Sequence, residues 1–178
     1  MIFTPTRIPG AVSIDLEKHL DHRGFFARVW STQDFENQGL SRGFVQANMA
    51  FNHRKGTVRG LHDQVAPHQE AKLVRCTRGA VFDVVVDLRP DSPAYCEWAG
   101  LELSAENNRM LYIPEGCAHA YQTLSDDTEV FYLVSAFYSP EAERGARYDD
   151  GSFGIDWPLN VSVISEKDRS WPPYHSGR

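Results

Sequence analysis

A chain of 178 residues with 42% hydrophobic and 24% charged side chains can bury a core without staples, and it reads as a single domain over 1–178. The formal charge of −6 argues against a nucleic-acid partner, which requires a basic face, and no apolar run approaches the ~20 residues that span a bilayer. Three scattered cysteines (Cys76, Cys96, Cys117) suggest neither a disulfide framework nor a zinc ribbon, and the stretch Met1–Thr6 lacks a signal-peptide pattern, so a cytoplasmic location is expected.

Taken in chain order, the first predicted element is a helix over Thr32–Gln38, with Ser31 as N-cap, Asp34 three residues on and Gly39 to end it. Period-2 alternation then predicts strands at Phe44–Phe51, Val58–Gln64, Ala71–Cys76 and Ala80–Leu88. Further strands follow at Cys96–Leu103, Arg109–Ile113, His119–Leu124 and Glu129–Tyr138. In the run from Ala80 the even positions are apolar, while Asp83 and Asp87 fall on the other face. Turn signals separate the runs, at Arg78-Gly79, Arg89–Pro93, Pro114–Gly116 and Ser125–Asp127. Short strands at this spacing predict an all-β sandwich, jelly roll or barrel with a few short helices. The tail Trp171–Arg178 is too rich in proline for a packed element, and His175 reads as a surface residue.

Side-chain parity groups the chemically interesting residues. Gln46 and Asn48 share a face, as do Lys72 and Val74, Tyr132 and Tyr138, and His119 and Tyr121. If these faces line one interior, amides, a lysine, a histidine and two tyrosines converge there. Arg59 and His62 differ in parity, and a bulge at Gly60 would bring them to one side. A histidine, a lysine and a tyrosine in one pocket supply a base, an oxyanion stabiliser and an acid, and Arg59 adds an anion anchor. Taken singly, the same residues have blander readings: a filler histidine, a snorkelling lysine, core aromatics with a bonded tip.

The ordered segments Asp21–Phe26, Gln46–Asn48, Gly56–His62, Lys72–Arg75, Phe82–Arg89, Ile113–His119, Glu129–Tyr132, Tyr138–Glu141 and Ser165–Asp168 carry a further signal. This set resembles the dTDP-4-dehydrorhamnose 3,5-epimerases and related nucleotide-sugar epimerases, and it runs in order from about residue 2 to 172. The resemblance implies a cupin-type jelly roll, isomerase activity without metal or other cofactor, and epimerisation at C3 and/or C5 of a nucleotide-linked 4-keto-6-deoxy-hexose. It implies that His62 is the base, Asp168 its carboxylate partner, Tyr132 the acid and Lys72 the group beside the C4 keto oxygen. Arg59 and His119 would hold the diphosphate or sugar, Gln46, Asn48, Glu143 and Lys167 would contact the ligand, and Tyr138 would stack on the base. Arg23 and Phe26 match a segment that reaches a neighbouring subunit's site, which implies a homodimer.

The chain departs from the family pattern at Arg28, Ala50, Asp63, Cys117 and Ala120. These leave open another nucleotide, or a monoepimerase acting at C3 or C5 alone. A metal-dependent cupin needs about three histidines and a carboxylate, usually with a His-x-His pair, and the spacing of His62, His68, Glu70 and His119 makes an incomplete set. A silent sugar-nucleotide binder would have no use for His62, Lys72 and Tyr132 together.

Overall fold

The computed structural model describes residues 1–40 and 43–174, so the expectations for His175 and the end of the tail lie outside the described residues. Among the described residues thirteen strands and two short helices follow one another. The first part holds β1 (Ile2–Pro5), β2 (Val12–Asp15), β3 (His19–Asp21), β4 (Gly24–Phe26), α1 (Thr32–Asn37), β5 (Gln46–Asn52) and β6 (Val58–Gln64). There follow β7 (Lys72–Arg78), β8 (Ala80–Asp87), β9 (Trp98–Ser104), β10 (Met110–Ile113), β11 (Cys117–Thr123), β12 (Thr128–Val134), β13 (Glu143–Gly145) and α2 (Glu166–Arg169).

The strands form a six-stranded sheet in the order β1-β2-β10-β7-β12-β5 and a five-stranded sheet in the order β13-β6-β11-β8-β9. Neighbours in both run antiparallel. The two sheets make a cupin-type jelly roll, all-β as expected. Its core lies between them, where Val74, Cys76, Leu111 and Val130 meet Val81, Val85 and Leu103.

The apolar parity of β8 has a second explanation in the structure. Its even residues, Val84 and Val86, pack with Leu61, Ala118 and Ala120 under Phe153, Ile155 and Trp157, so the later chain covers the outer side of the five-stranded sheet. Both faces of β8 are therefore buried, and Asp83 and Asp87 point inward rather than to water. Alternation separates two faces without saying which is wet.

The expected helix is present, and Ser31 accepts from the Asp34 amide as its cap. Four early strands, β13 and α2 escape the sequence reading. They are three or four residues long, too short for an alternation to register, and β3–β4 stands apart as its own two-stranded sheet. One strand expectation is corrected: the run Glu129–Tyr138 ends at Val134, so Tyr138 sits on the loop beyond β12. Among the described residues no helix is long and apolar enough to cross a membrane.

Candidate active site

The site begins with the irregularity in β6. Against β11, Tyr121 faces Arg59 while His119 faces His62, so β6 has one residue more than β11 between the same two rungs. The extra residue is taken up at Gly60, whose φ is +110°, in the region that only glycine enters freely. A side chain there would also collide with the neighbouring strand, since a Cβ would lie 2.5 Å from the His119 carbonyl oxygen. The bulge cancels the parity difference, and Arg59 and His62 line one cavity.

That cavity, about 440 Å³, is walled by β6, β7, β11 and β12 and closed by 163–168 around α2. An adjoining lobe of about 400 Å³ is lined by Gln46, Asn48, Glu70, Val134, Tyr138 and Glu143 among others. His62, Lys72 and Tyr132 belong to both lobes and stand where they meet.

His62 Nε2 lies 2.6 Å from Asp168 Oδ1. Asp168 comes from a one-turn helix capped by Ser165, whose Oγ accepts from the Asp168 amide at 3.0 Å. The carboxylate is 4% exposed, and its second oxygen accepts from the Gly60 amide at 3.3 Å. Burial pushes its pKa upward, but the bond to and charge of His62, with the Gly60 and Ser165 bonds, outweigh that and hold it below the ordinary range. An ionised Asp168 fixes the orientation of the imidazole.

Lys72, buried on β7, forms an ion pair with Glu70. Tyr132 faces the same space from β12, and its hydroxyl is kept protonated: burial raises its pKa, the Glu70 charge adds to this, and Arg59 opposes it. His119 Nε2 sits 2.8 Å from Asp83 Oδ1, giving a second histidine–carboxylate pair whose histidine faces His62 across the ladder. Asp83 is fully buried and its other oxygen has no hydrogen-bond partner among the described residues. Burial raises its pKa, against the pull of the His119 charge and bond.

The rim of the second lobe is a connected group. Glu143 accepts from Lys167 Nζ at 2.6 Å and from the Tyr138 hydroxyl at 2.9 Å. The Tyr138 amide donates to Gln46 Oε1 at 3.0 Å, which ties the exposed tyrosine to β5. Asn48 lines the same lobe.

Of the residues singled out from sequence, His62, Asp168, Lys72, Tyr132, Arg59 and His119 line one lobe or both, together with Gln46, Asn48, Tyr138, Glu143 and Lys167. Arg23 and Phe26 line neither. Arg23 pairs with Asp21 at 2.6 Å on the turn between β3 and β4, and Phe26 is 69% exposed at the end of β4. Sequence reasoning gave Asp83 and Ser165 no part in the site and weighed Glu70 only as a member of an incomplete metal-ligand set. Odd parity with Val81 and Val85 placed Asp83 on one side of β8, and the buried identity of that side was the signal lacking. Among the described residues no group of three or more His, Cys, Asp or Glu side chains is arranged to hold a metal ion.

Comparison with known proteins adds descent to geometry. The family model described as dTDP-4-dehydrorhamnose 3,5-epimerase matches residues 5–176. A dTDP-4-dehydrorhamnose 3,5-epimerase of Sinorhizobium fredii is 45% identical over 173 residues, covering 97% of this chain and 89% of that protein. A crystal structure of dTDP-4-dehydrorhamnose 3,5-epimerase from Bacillus anthracis, with TDP and PPi bound, superposes with a TM-score of 0.93 at 37% identity, covering 97% of this chain and 99% of that one. A dTDP-6-deoxy-D-glucose-3,5-epimerase from Legionella pneumophila, in complex with dTDP-4-keto-L-rhamnose, has a TM-score of 0.87 at 38% identity, covering 94% and 89%.

Proposed function

We propose a function that starts from descent: this chain belongs to the dTDP-4-dehydrorhamnose 3,5-epimerase family. It is an isomerase that converts dTDP-4-dehydro-6-deoxy-D-glucose to dTDP-4-dehydro-L-rhamnose by inversion at C3 and C5. The observation that carries the reading is the meeting of His62, Lys72 and Tyr132 at the junction of the two lobes, with Asp168 bonded behind the histidine.

The chemistry follows from the acidity of a C–H beside a ketone. His62 removes that proton, and the electron pair moves onto the C4 oxygen as an enolate. The Lys72 ammonium, in a cleft drier than water, stabilises that oxygen as charge develops, an effect worth roughly 3–4 kcal/mol for a single well-placed donor. Asp168 holds the imidazole in the tautomer that accepts at the reacting nitrogen and steadies the imidazolium that forms. Tyr132, protonated in the ground state, returns a proton to the opposite face of the sugar and completes the inversion. Each inversion leaves His62 protonated and Tyr132 ionised, so both must exchange protons with water before the next. The steps call on no metal or redox group.

Arg59 and His119 hold the diphosphate or sugar, and Gln46, Asn48, Glu143 and Lys167 contact the rest of the ligand. Tyr138, exposed at the rim beside Glu143, stacks on the base. The protein acts as one cupin-type domain in a cytoplasmic homodimer. Two features support the dimer: the exposed β3–β4 hairpin carrying Arg23 and Phe26, and a bare apolar stripe on the outer side of β5, where Met49 is 64% exposed beside Phe51. In that dimer the hairpin enters the partner's cleft.

The test is proton NMR of dTDP-4-keto-6-deoxyglucose in deuterated water with chelator-treated enzyme. Deuterium entering at both C3 and C5 is the expected result. Exchange at one carbon would make the protein a monoepimerase, and no exchange with any nucleotide 4-keto sugar would overturn the reading.

A further inference from the structure

The guanidinium of Arg59 is gripped from the opposite sheet. Its Nε donates to Asn52 Oδ1 at 2.8 Å, and Nη2 reaches the Phe51 carbonyl at 3.4 Å. Asn52 closes β5 in the six-stranded sheet, whereas Arg59 belongs to β6 in the five-stranded one, so the bond crosses the sandwich. Asn52 is itself fixed. It is 3% exposed, its Nδ2 donates to the Thr128 carbonyl at 3.2 Å and to the Tyr121 hydroxyl at 3.3 Å, and Thr128 is its cross-strand partner. Burial pushes the Tyr121 pKa up to about 12, so the hydroxyl remains a neutral hydrogen-bonding group.

Such a grip matters because of what it leaves over. Arginine offers five N–H donors in a planar fork, and bidentate recognition of an anion depends on how that plane is turned. With the Nε edge committed to β5, the Nη1 end has no partner among the described residues, and the side chain lines the larger lobe. An unheld arginine would lose rotamer entropy on binding. We propose that Asn52, backed by Tyr121 and the Thr128 carbonyl, is a positioning residue that sets the Arg59 guanidinium for the anionic part of the nucleotide-sugar ligand.

The inference rests on Arg59 being an anion anchor, and a double-mutant cycle separates the two. Asn52→Ala, Arg59→Ala and the double variant are compared by calorimetric titration with dTDP and by steady-state kinetics on the 4-keto sugar. Asn52→Ala should raise the dTDP dissociation constant and KM by roughly 10-fold, the worth of one hydrogen bond to a charged group, with kcat nearly unchanged. In the Arg59→Ala background the same change should cost nothing further. Independent, additive effects, or a fall in kcat with KM preserved, would overturn the positioning role alone. An Arg59→Ala variant with normal dTDP affinity would overturn the anchor and the inference with it. Should Asn52→Ala fail to fold, Asn52→Leu, which matches its size and lacks the acceptor, carries the same expectations.

Discussion

Replacing Gly60 by alanine tests whether the bulge assembles the site. The substitution meets two separate costs. At φ +110° an L-residue is strained by about 1–3 kcal/mol. The new Cβ would also lie 2.5 Å from the His119 carbonyl oxygen and 2.7 Å from both Cα and Cβ of Ala120. These contacts are mostly with backbone that cannot rotate away, and relieving such overlap costs about 1–3 kcal/mol more. The total, ~2–6 kcal/mol, is a large share of the ~5–15 kcal/mol that holds a domain together. Strand β6 can escape only by moving off β11 or by straightening, and straightening returns Arg59 and His62 to opposite faces. Urea denaturation should therefore show the stability loss, and deuterium wash-in by the folded fraction should fall at both carbons. Gly151→Ala is the control, because nothing lies within 4 Å of the added atom. A Gly60→Ala protein within ~1 kcal/mol of the parent and with full exchange activity would refute the reasoning.

Four more substitutions have defined outcomes. His62→Ala should abolish deuterium entry at both carbons, whereas Tyr132→Phe should leave some wash-in and block completed inversion, read by the same NMR assay. Glu70→Gln removes the ion-pair partner of Lys72 and a negative charge that, after burial, raises the Tyr132 pKa against Arg59. The alkaline limb of the kcat profile should consequently move to lower pH, and a limb that stays put or rises would separate Glu70 from the acid. Asp83→Asn removes a carboxylate whose pKa burial raises, and a carboxylate pKa raised in the folded state subtracts stability at neutral pH. Thermal stability at pH 7 should be kept or gain while kcat/KM drops ~10-fold or more through loss of the carboxylate bonded to His119. A large loss of stability would contradict this.

Much of this was legible in the chain, for identifiable reasons. The long strands β7, β8 and β12 alternate because one side of each faces the core, and the histidine, lysine and tyrosine stand in ordered motifs around them. Gly60 could be read as a bulge because Arg59 and His62 must reach one cavity from unequal parities. What stayed hidden is of another kind. The pairing of His119 with Asp83 depends on which side of β8 is the inside, and both sides are apolar enough to be buried. Glu70 precedes its strand by two residues, where pattern carries no information about direction. Tyr138 kept the parity of β12 past the point where the ladder stops, so its face was right in appearance and its element wrong.

The distance along the chain between the two halves of the His62–Asp168 pair, 106 residues, fixes when the site can exist during synthesis. Twelve of the thirteen strands among the described residues precede residue 140, so both sheets can be built while Asp168 is still unmade or inside the ribosomal tunnel. A nascent chain at that stage owns His62, Lys72 and Tyr132 yet lacks the anion that orients the base. Activity in this protein is thus the last property the chain acquires.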